Sequence, residues 1–393
     1  RLPVFRKAPG PATMLLRQQF LNYIAQTSEV PQGFCMGRAK GNYLFDREGK
    51  AYLDLSSGFG VSNLGHGVPE VLDAIASQSR EYLHTNVYGE HVQKVQIRLA
   101  ERLADLLPAG LDAFYYLTSG SEAVDAAIKL SRLATGRTEI AVCRNAYHGS
   151  TLGAESLRSD EEHKAPFLPL LPGVRFIQFG ESDDLAQIGP QTAAVFTEVI
   201  QAEAGVRFAD PDWWKALRAR CDQTGSLLVL DEIQTGMGRT GKLFAFMHGE
   251  AVPDILLAGK ALGAGMPLSA LITSQTLFRQ LFRTLPLAHL STFGGHPVSC
   301  AAGLAGLNVL LRDGLMENAR KMGKRLAEGL LNPMIRDRRH AGLFMAAELG
   351  DAAITLRWIA ALYKENMLAE SFLFDPGSLR IAPPLSIRES EVD

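Results

Sequence analysis

With 393 residues, 47% of them hydrophobic and 21% charged, the chain can bury a large core, and one big domain with a smaller one attached is expected. The 40 basic residues nearly cancel the 42 acidic ones, and a net charge of -2 offers no global field for nucleic acid or an anionic membrane, so the expected partner is a small molecule. No apolar run approaches the length of a membrane span, the first twenty residues lack a signal-peptide core, and Cys35, Cys143, Cys221 and Cys300 are scattered without CxxC or metal spacing, which fits reduced thiols in a cytoplasmic protein with no metal site.

The first forty residues carry weak periodicity with Pro and Gly punctuation and read as an arm. Within 42–56, the run YLFDREGKAYLDL alternates on either side of a turn at 46–49, which predicts a hairpin. Helices are predicted over 69–83 and 91–107, the second with Val92, Val95, Leu99, Leu103 and Leu106 on one face. The polar and aromatic HTNVYGEH lies between them. A short aromatic strand, AFYYL, then ends at Thr118 and Ser119, and a helix opens at about Gly120. A helix start presents unpaired N–H groups and positive partial charge, so Gly120 and Ser121 can seat an anion; an ordinary serine cap is the plainer alternative. Glu122, bearing like charge, would not be aimed at that anion. The next strand, EIAVC, empties into a glycine-containing loop with Tyr147 and His148, and His148 has no metal-spaced partner. Strands at 174–179 and 192–197 and a helix over 211–223 follow.

The chemistry is concentrated in 226–270. The apolar run 226–230 has strand length and delivers two carboxylates, Asp231 and Glu232, while the run 255–258 delivers a lone lysine, Lys260, among Gly, Ala, Leu and Met. Ligands of open α/β sheets bind at the carboxyl ends of strands, so acid and amine face one site. A lysine among small apolar residues has a depressed pKa, and a neutral amine condenses with an aldehyde to a Schiff base; a lone lysine would more often snorkel to water. Asp231 shifts that balance, because a Schiff-base cofactor with a pyridine ring needs an anion at its ring nitrogen. The pair points to pyridoxal 5'-phosphate, with Gly120 and Ser121 as its phosphate seat and the Tyr147 ring on its face. Gly236, Gly238 and Gly241 spell G-x-G-x-x-G, but five residues separate them from the strand, and Leu243 stands where a P-loop needs Ser or Thr.

The run DEIQTGMGRTG followed by DILLAGKALGAG resembles the class III aminotransferases, pyridoxal-phosphate enzymes of fold type I, and most closely the acetylornithine and ornithine aminotransferase group. The likeness extends from about Gly41 to Ser386. It implies an α/β fold with a large, mostly parallel sheet domain and a smaller α+β domain. The expected division is an arm and hairpin over 1–60, a cofactor domain over 61–300 and a small domain over 301–393. It further implies that Lys260 carries the cofactor, that Asp231 holds the ring nitrogen, that Gln234 meets the phenolic oxygen, and that Glu198 supports the ring from behind. EVIQAEAG resembles the family's EPIQGEGG and places Glu203 toward the substrate, beside Arg380, Phe59, Ser150 and Ser291. Acetylornithine enzymes commonly carry arginine where this chain has Ser150, which weakens that assignment. Thr292, in the turn before the helix from Pro297, would reach the phosphate of the neighbouring subunit of a homodimer. After that helix, a basic helix to 331, HAGLFMAAELG as a strand, a helix over AITLRWIAALYKEN and the strand SLRI are expected; Ser386 and Glu389 form an S-x-x-E capping box whose helix looks incomplete. The resemblance implies an ω-amino-acid:2-oxoglutarate aminotransferase; the alternatives are an aminomutase of the glutamate-semialdehyde kind and a non-catalytic cofactor-binding homologue.

Overall fold

The computed structural model describes residues 11–29, 31–249 and 251–393. The first ten residues of the expected arm lie outside that description; the rest of the arm holds a helix, Pro11–Tyr23, and a strand, Met36–Lys40.

Seven strands form the central sheet in the order Ala113–Leu117, Ser269–Thr273, Ile255–Ala258, Leu227–Asp231, Thr192–Glu198, Glu139–Cys143 and Val174–Ile177. All run the same way except Ser269–Thr273, which is antiparallel to both neighbours. Every residue of Thr192–Glu198, Ile255–Ala258 and Ser269–Thr273 is buried, which is why these strands read as unbroken apolar runs without alternation. Alternate side chains feed two cores: Val195, Leu228, Leu230 and Leu256 pack with Trp213, Leu307 and Leu310 on one face, and Phe196, Val229 and Leu257 with Val124, Ala127 and Leu281 on the other.

The helices are closed by the residues that chemistry favours. Gly120–Thr135 opens on a capping box, the Ser119 hydroxyl accepting from Glu122 N at 3.3 Å while the Glu122 carboxylate accepts from Ser119 N at 3.2 Å, and it ends on Gly136 in the left-handed region at φ 67°. Pro211–Thr224 uses Asp210 as cap, proline in its first turn and Gly225 at φ 68°. Among the described residues no single helix is long and apolar enough to cross a membrane.

Two four-stranded sheets complete the molecule. One joins Met36–Lys40, Tyr43–Asp46 and Ala51–Asp54 to Met367–Leu368; the other joins Asp337–Ala341, Phe344–Glu348, Ser378–Ile381 and Glu370–Ser371. Two local expectations are corrected, at 340–350 and at the chain end. HAGLFMAAELG is a hairpin rather than one strand, because Gly342 turns at φ 54° where a Cβ would sit 2.7 Å from the Arg239 carbonyl. As expected, a basic helix follows the one from Pro297: the first ends at Arg312 and the second runs Leu315–Gly329, with Gly314 left-handed at φ 64° between them. At the chain end the Ser386 hydroxyl donates to Asn42 Oδ1 (2.7 Å), and the short helix Glu389–Val392 opens instead with the Glu391 carboxylate accepting from Arg388 N (2.8 Å).

Candidate active site

The parallel strands deliver their carboxyl ends to one edge of the sheet, and a cavity of about 170 Å³ opens there, lined by Ser119, Gly120, Ser121, Tyr147, His148, Gly149, Glu198, Asp231, Ile233, Gln234 and Lys260. Asp231 and Lys260 come from adjacent parallel strands, with Asp231 opposite Leu257, three residues before the lysine. Asp231 is 5% exposed; its Oδ1 accepts from Ile233 N (3.0 Å) and its Oδ2 meets His148 Nδ1 at 2.7 Å. His148, without a metal-spaced partner in the sequence, is thus paired with Asp231, and its Nε2 is buried with no hydrogen bond.

Lys260 follows Gly259 at φ 48°, a left-handed conformation that lysine rarely adopts, and its Nζ donates to Gln234 Oε1 at 3.1 Å. Burial holds its ammonium below the ordinary lysine value, and nearby Arg380 adds to that; Glu203, Asp231 and Glu198 oppose it. Burial, then the charge of Asp231, pushes the Glu198 carboxyl well above the usual range, against the pull of N–H bonds from Ala202 (3.1 Å) and Tyr147 (3.2 Å). Glu232 turns away from the cavity and accepts from Thr235 Oγ1 (2.6 Å), Ala245 N (2.8 Å) and Phe246 N (2.6 Å), so it fastens the loop that carries Gln234. Gly238 and Gly241 make that loop's turns at φ 87° and 89°.

The Ser121 hydroxyl accepts from Ser150 N at 3.1 Å, and Gly149 is required beside it because a Cβ there would lie 1.9 Å from the Ser121 oxygen. The Tyr147 and Ser150 hydroxyls meet at 3.1 Å. Glu122 is occupied by its own cap and by Ser291, whose hydroxyl donates to it at 3.0 Å and lies 3.1 Å from Thr118 Oγ1. Thr292 is exposed, outside the cavity lining, and its carbonyl meets His84 Nε2 at 2.7 Å.

A second group stands across the site. Arg380 is 1% exposed, its guanidinium lies 5.1 Å from the Phe59 ring and 4.4 Å from the Phe372 ring, and its Nη2 donates to Glu203 Oε2 at 2.6 Å. Its Nε and Nη1 are buried without a partner. Burial tends to raise the Glu203 carboxyl, but Arg380 and the N–H of Leu373 (3.0 Å) outweigh it and hold it below the usual range. Ile233 and Phe372 escaped the sequence reading, since neither has a local signal beyond being apolar. A larger cavity of about 540 Å³ beside Trp214 and His340 contains none of this chemistry.

The residues fit a phosphorylated pyridine aldehyde. The N–H groups opening Gly120–Thr135 and the Ser121 hydroxyl can hold the phosphate, Asp231 the ring nitrogen and Lys260 the aldehyde carbon. Such a group supplies, when bound, a carbonyl for the donor amine and a ring that draws electrons from the bond being broken. For its part, Lys260 can pass a proton at its Nζ, which Gln234 Oε1 orients.

This fold and site define a transferase that works through pyridoxal 5'-phosphate. Residues 23–393 match the family described as Aminotransferase class-III, and the chain belongs to it. Its solved relatives include the ornithine aminotransferase of Toxoplasma gondii ME49, at 29% identity and TM-score 0.89 over 98% of this chain and 96% of that one. An (S)-enantioselective omega-transaminase from Thermomicrobium roseum matches at 28% identity and TM-score 0.89 over 98% and 97%. An amine transaminase from an uncultivated Pseudomonas species, solved with pyridoxal phosphate bound, matches at 27% and 0.86 over 94% and 95%.

Proposed function

We propose that this aminotransferase moves the distal amino group of an ω-amino acid or diamine, ornithine-like in shape, to 2-oxoglutarate. Lys260 and Asp231 act on the reacting centre, and Gly120, Ser121, Tyr147, Glu198 and Gln234 hold the cofactor, joined by Thr292 from the second subunit of a homodimer. Phe59, Ser150, Glu203, Ser291 and Arg380 surround the substrate. The observation that carries this reading is the Glu203–Arg380 pair, closed through a single guanidinium nitrogen while two others stay buried and unpartnered.

A transaminase accepts two unlike substrates in one pocket. An ω-amino donor brings an apolar stem to the reacting end, where an unpaired arginine would be a buried, uncompensated charge costing about 3 to 5 kcal/mol. Paired with Glu203, Arg380 avoids that cost. When 2-oxoglutarate enters, Glu203 releases the arginine, whose free donors grip the carboxylate next to the reacting carbonyl in a two-pronged bond. The likeness to the Toxoplasma gondii ornithine aminotransferase and to the omega-transaminase supports a distal amine as donor. A panel of ornithine, N-acetylornithine, diamines and α-amino acids with 2-oxoglutarate, scored for glutamate release, tests the proposal. Glutamate from the distal-amine donors is expected; release from α-amino acids alone would refute it.

A further inference from the structure

Glu203 sits on a tight loop whose shape the chain does not favour by itself. Gln201 and Arg207 bond to each other across its neck at 3.0 and 3.1 Å, and its tip turns through Gly205 at φ 88° and Val206 at φ 56°. A β-branched residue in the left-handed region is strained and persists only where its surroundings fix it. Val206 itself is buried in a cluster with Ile200, Phe344 and Phe372, and the adjoining Gly205 is held by Arg339, whose side chain is 10% exposed. Its Nε donates to the Gly205 carbonyl at 2.7 Å, its Nη1 to Asp337 at 2.7 Å and to Glu348, and its Nη2 to Asp375 at 3.0 Å. Gly205 abuts Asp375 so closely that a Cβ would lie 2.1 Å from the carboxylate oxygen.

Asp375 in turn accepts from the Ser378 hydroxyl at 2.7 Å, two residues before Arg380 on the same strand. Just before Asp375 in the chain, Phe374 N donates to the Glu203 carbonyl at 3.0 Å and Leu373 N to its carboxylate at 3.0 Å. One closed circuit therefore runs from Arg339 to Gly205, Glu203, Arg380, Ser378, Asp375 and back. Partly exposed ion pairs alone contribute little to stability, so simple stabilisation is a weak account of a guanidinium with every nitrogen engaged.

We infer that Arg339 is a positioning residue: it locks the backbone of the Glu203 loop against the segment bearing Arg380, so that only the Glu203 side chain moves, and it thereby sets how strongly the pair resists an incoming carboxylate. This rests on the gate reading above. Arg380 keeps its own support from Phe59, Phe372 and the strand pairing, so slackening the loop weakens Glu203 as competitor without displacing the arginine.

Binding of glutarate, an unreactive dicarboxylate, to the cofactor-loaded protein by calorimetry gives the test. Glu203→Gln should tighten binding by removing the competitor. Arg339→Met should also tighten it, on the order of threefold, but leave it unchanged when added to Glu203→Gln, because contacts acting through one residue are not additive. Arg339→Lys, which keeps charge but not the planar fork, should lie between wild type and Arg339→Met, and it serves alone if the methionine variant fails to fold. Folded Arg339 variants with wild-type glutarate affinity, alongside a tightened Glu203→Gln, would overturn the clamp and leave the gate standing. Equal effects of the Arg339 change in both backgrounds would overturn it too. No change in Glu203→Gln itself would remove the gate and the clamp together.

Discussion

Lys260 is held in a conformation that few side chains tolerate, with its amine on Gln234 and its charge disfavoured by burial. A lysine set this way is poised to lose its proton and act as nucleophile and proton carrier. Lys260→Ala should accordingly lower glutamate formation by about a thousandfold or more; a rate near wild type would place the reacting amine elsewhere. Asp231 is fixed on both oxygens, by Ile233 N and by His148. Asp231→Asn should keep its cofactor, seen by absorbance, yet turn over roughly a hundredfold or more slowly. Both residues were legible in the sequence because each follows a short, wholly apolar run, and a polar residue at such a strand end has few structural reasons to be there. His148 was legible only as a loop histidine: its partner is far away in the chain, and nothing local announces it.

Among the elements, the turn at Ser57–Gly60 went unread. Ser57, Gly58 and Phe59 are all left-handed, at φ 48°, 57° and 60°, a conformation costing about 1 to 2 kcal/mol for each non-glycine residue. Asp54 accepts from Ser57 N at 2.8 Å, and the Ser57 hydroxyl donates to the Ala382 carbonyl at 2.7 Å, which holds the turn and sets the Phe59 ring against Arg380. No local pattern encodes this, since the restraint comes from the far end of the chain. Phe59→Gly should raise thermal stability or leave it unchanged while weakening selection between donors, measured by melting and by the donor panel; a large loss of stability would show the ring to be structural. The loop 232–246 offers a pH test. Burial pushes the Glu232 carboxyl up to about 7 from an ordinary 4.5, against three hydrogen bonds that hold it down. Because the folded value is the higher, the folded state binds the extra proton, and the associated stability is complete below about pH 4.5 and lost as pH rises through about 7. Wild type should lose about 3 kcal/mol relative to Glu232→Gln across that interval. Parallel denaturation curves at pH 5 and pH 8 would contradict it.

The whole molecule brings together what the linear order separates: Glu203 from the edge of the central sheet, Arg380 from a strand of a small sheet, and Phe59 from the N-terminal segment. The central sheet was legible because strands buried on both faces read as apolar runs; the hairpin at Gly342 was not, since it turns on one glycine within an otherwise continuous pattern. The same assembly carries the functional claim. Stopped-flow traces of the two half-reactions in Arg380→Ala test it most directly: the account predicts that the step with 2-oxoglutarate slows far more than the step with the amine donor, whereas equal losses in both would mean that Glu203 and Arg380 form a permanent pair and no gate.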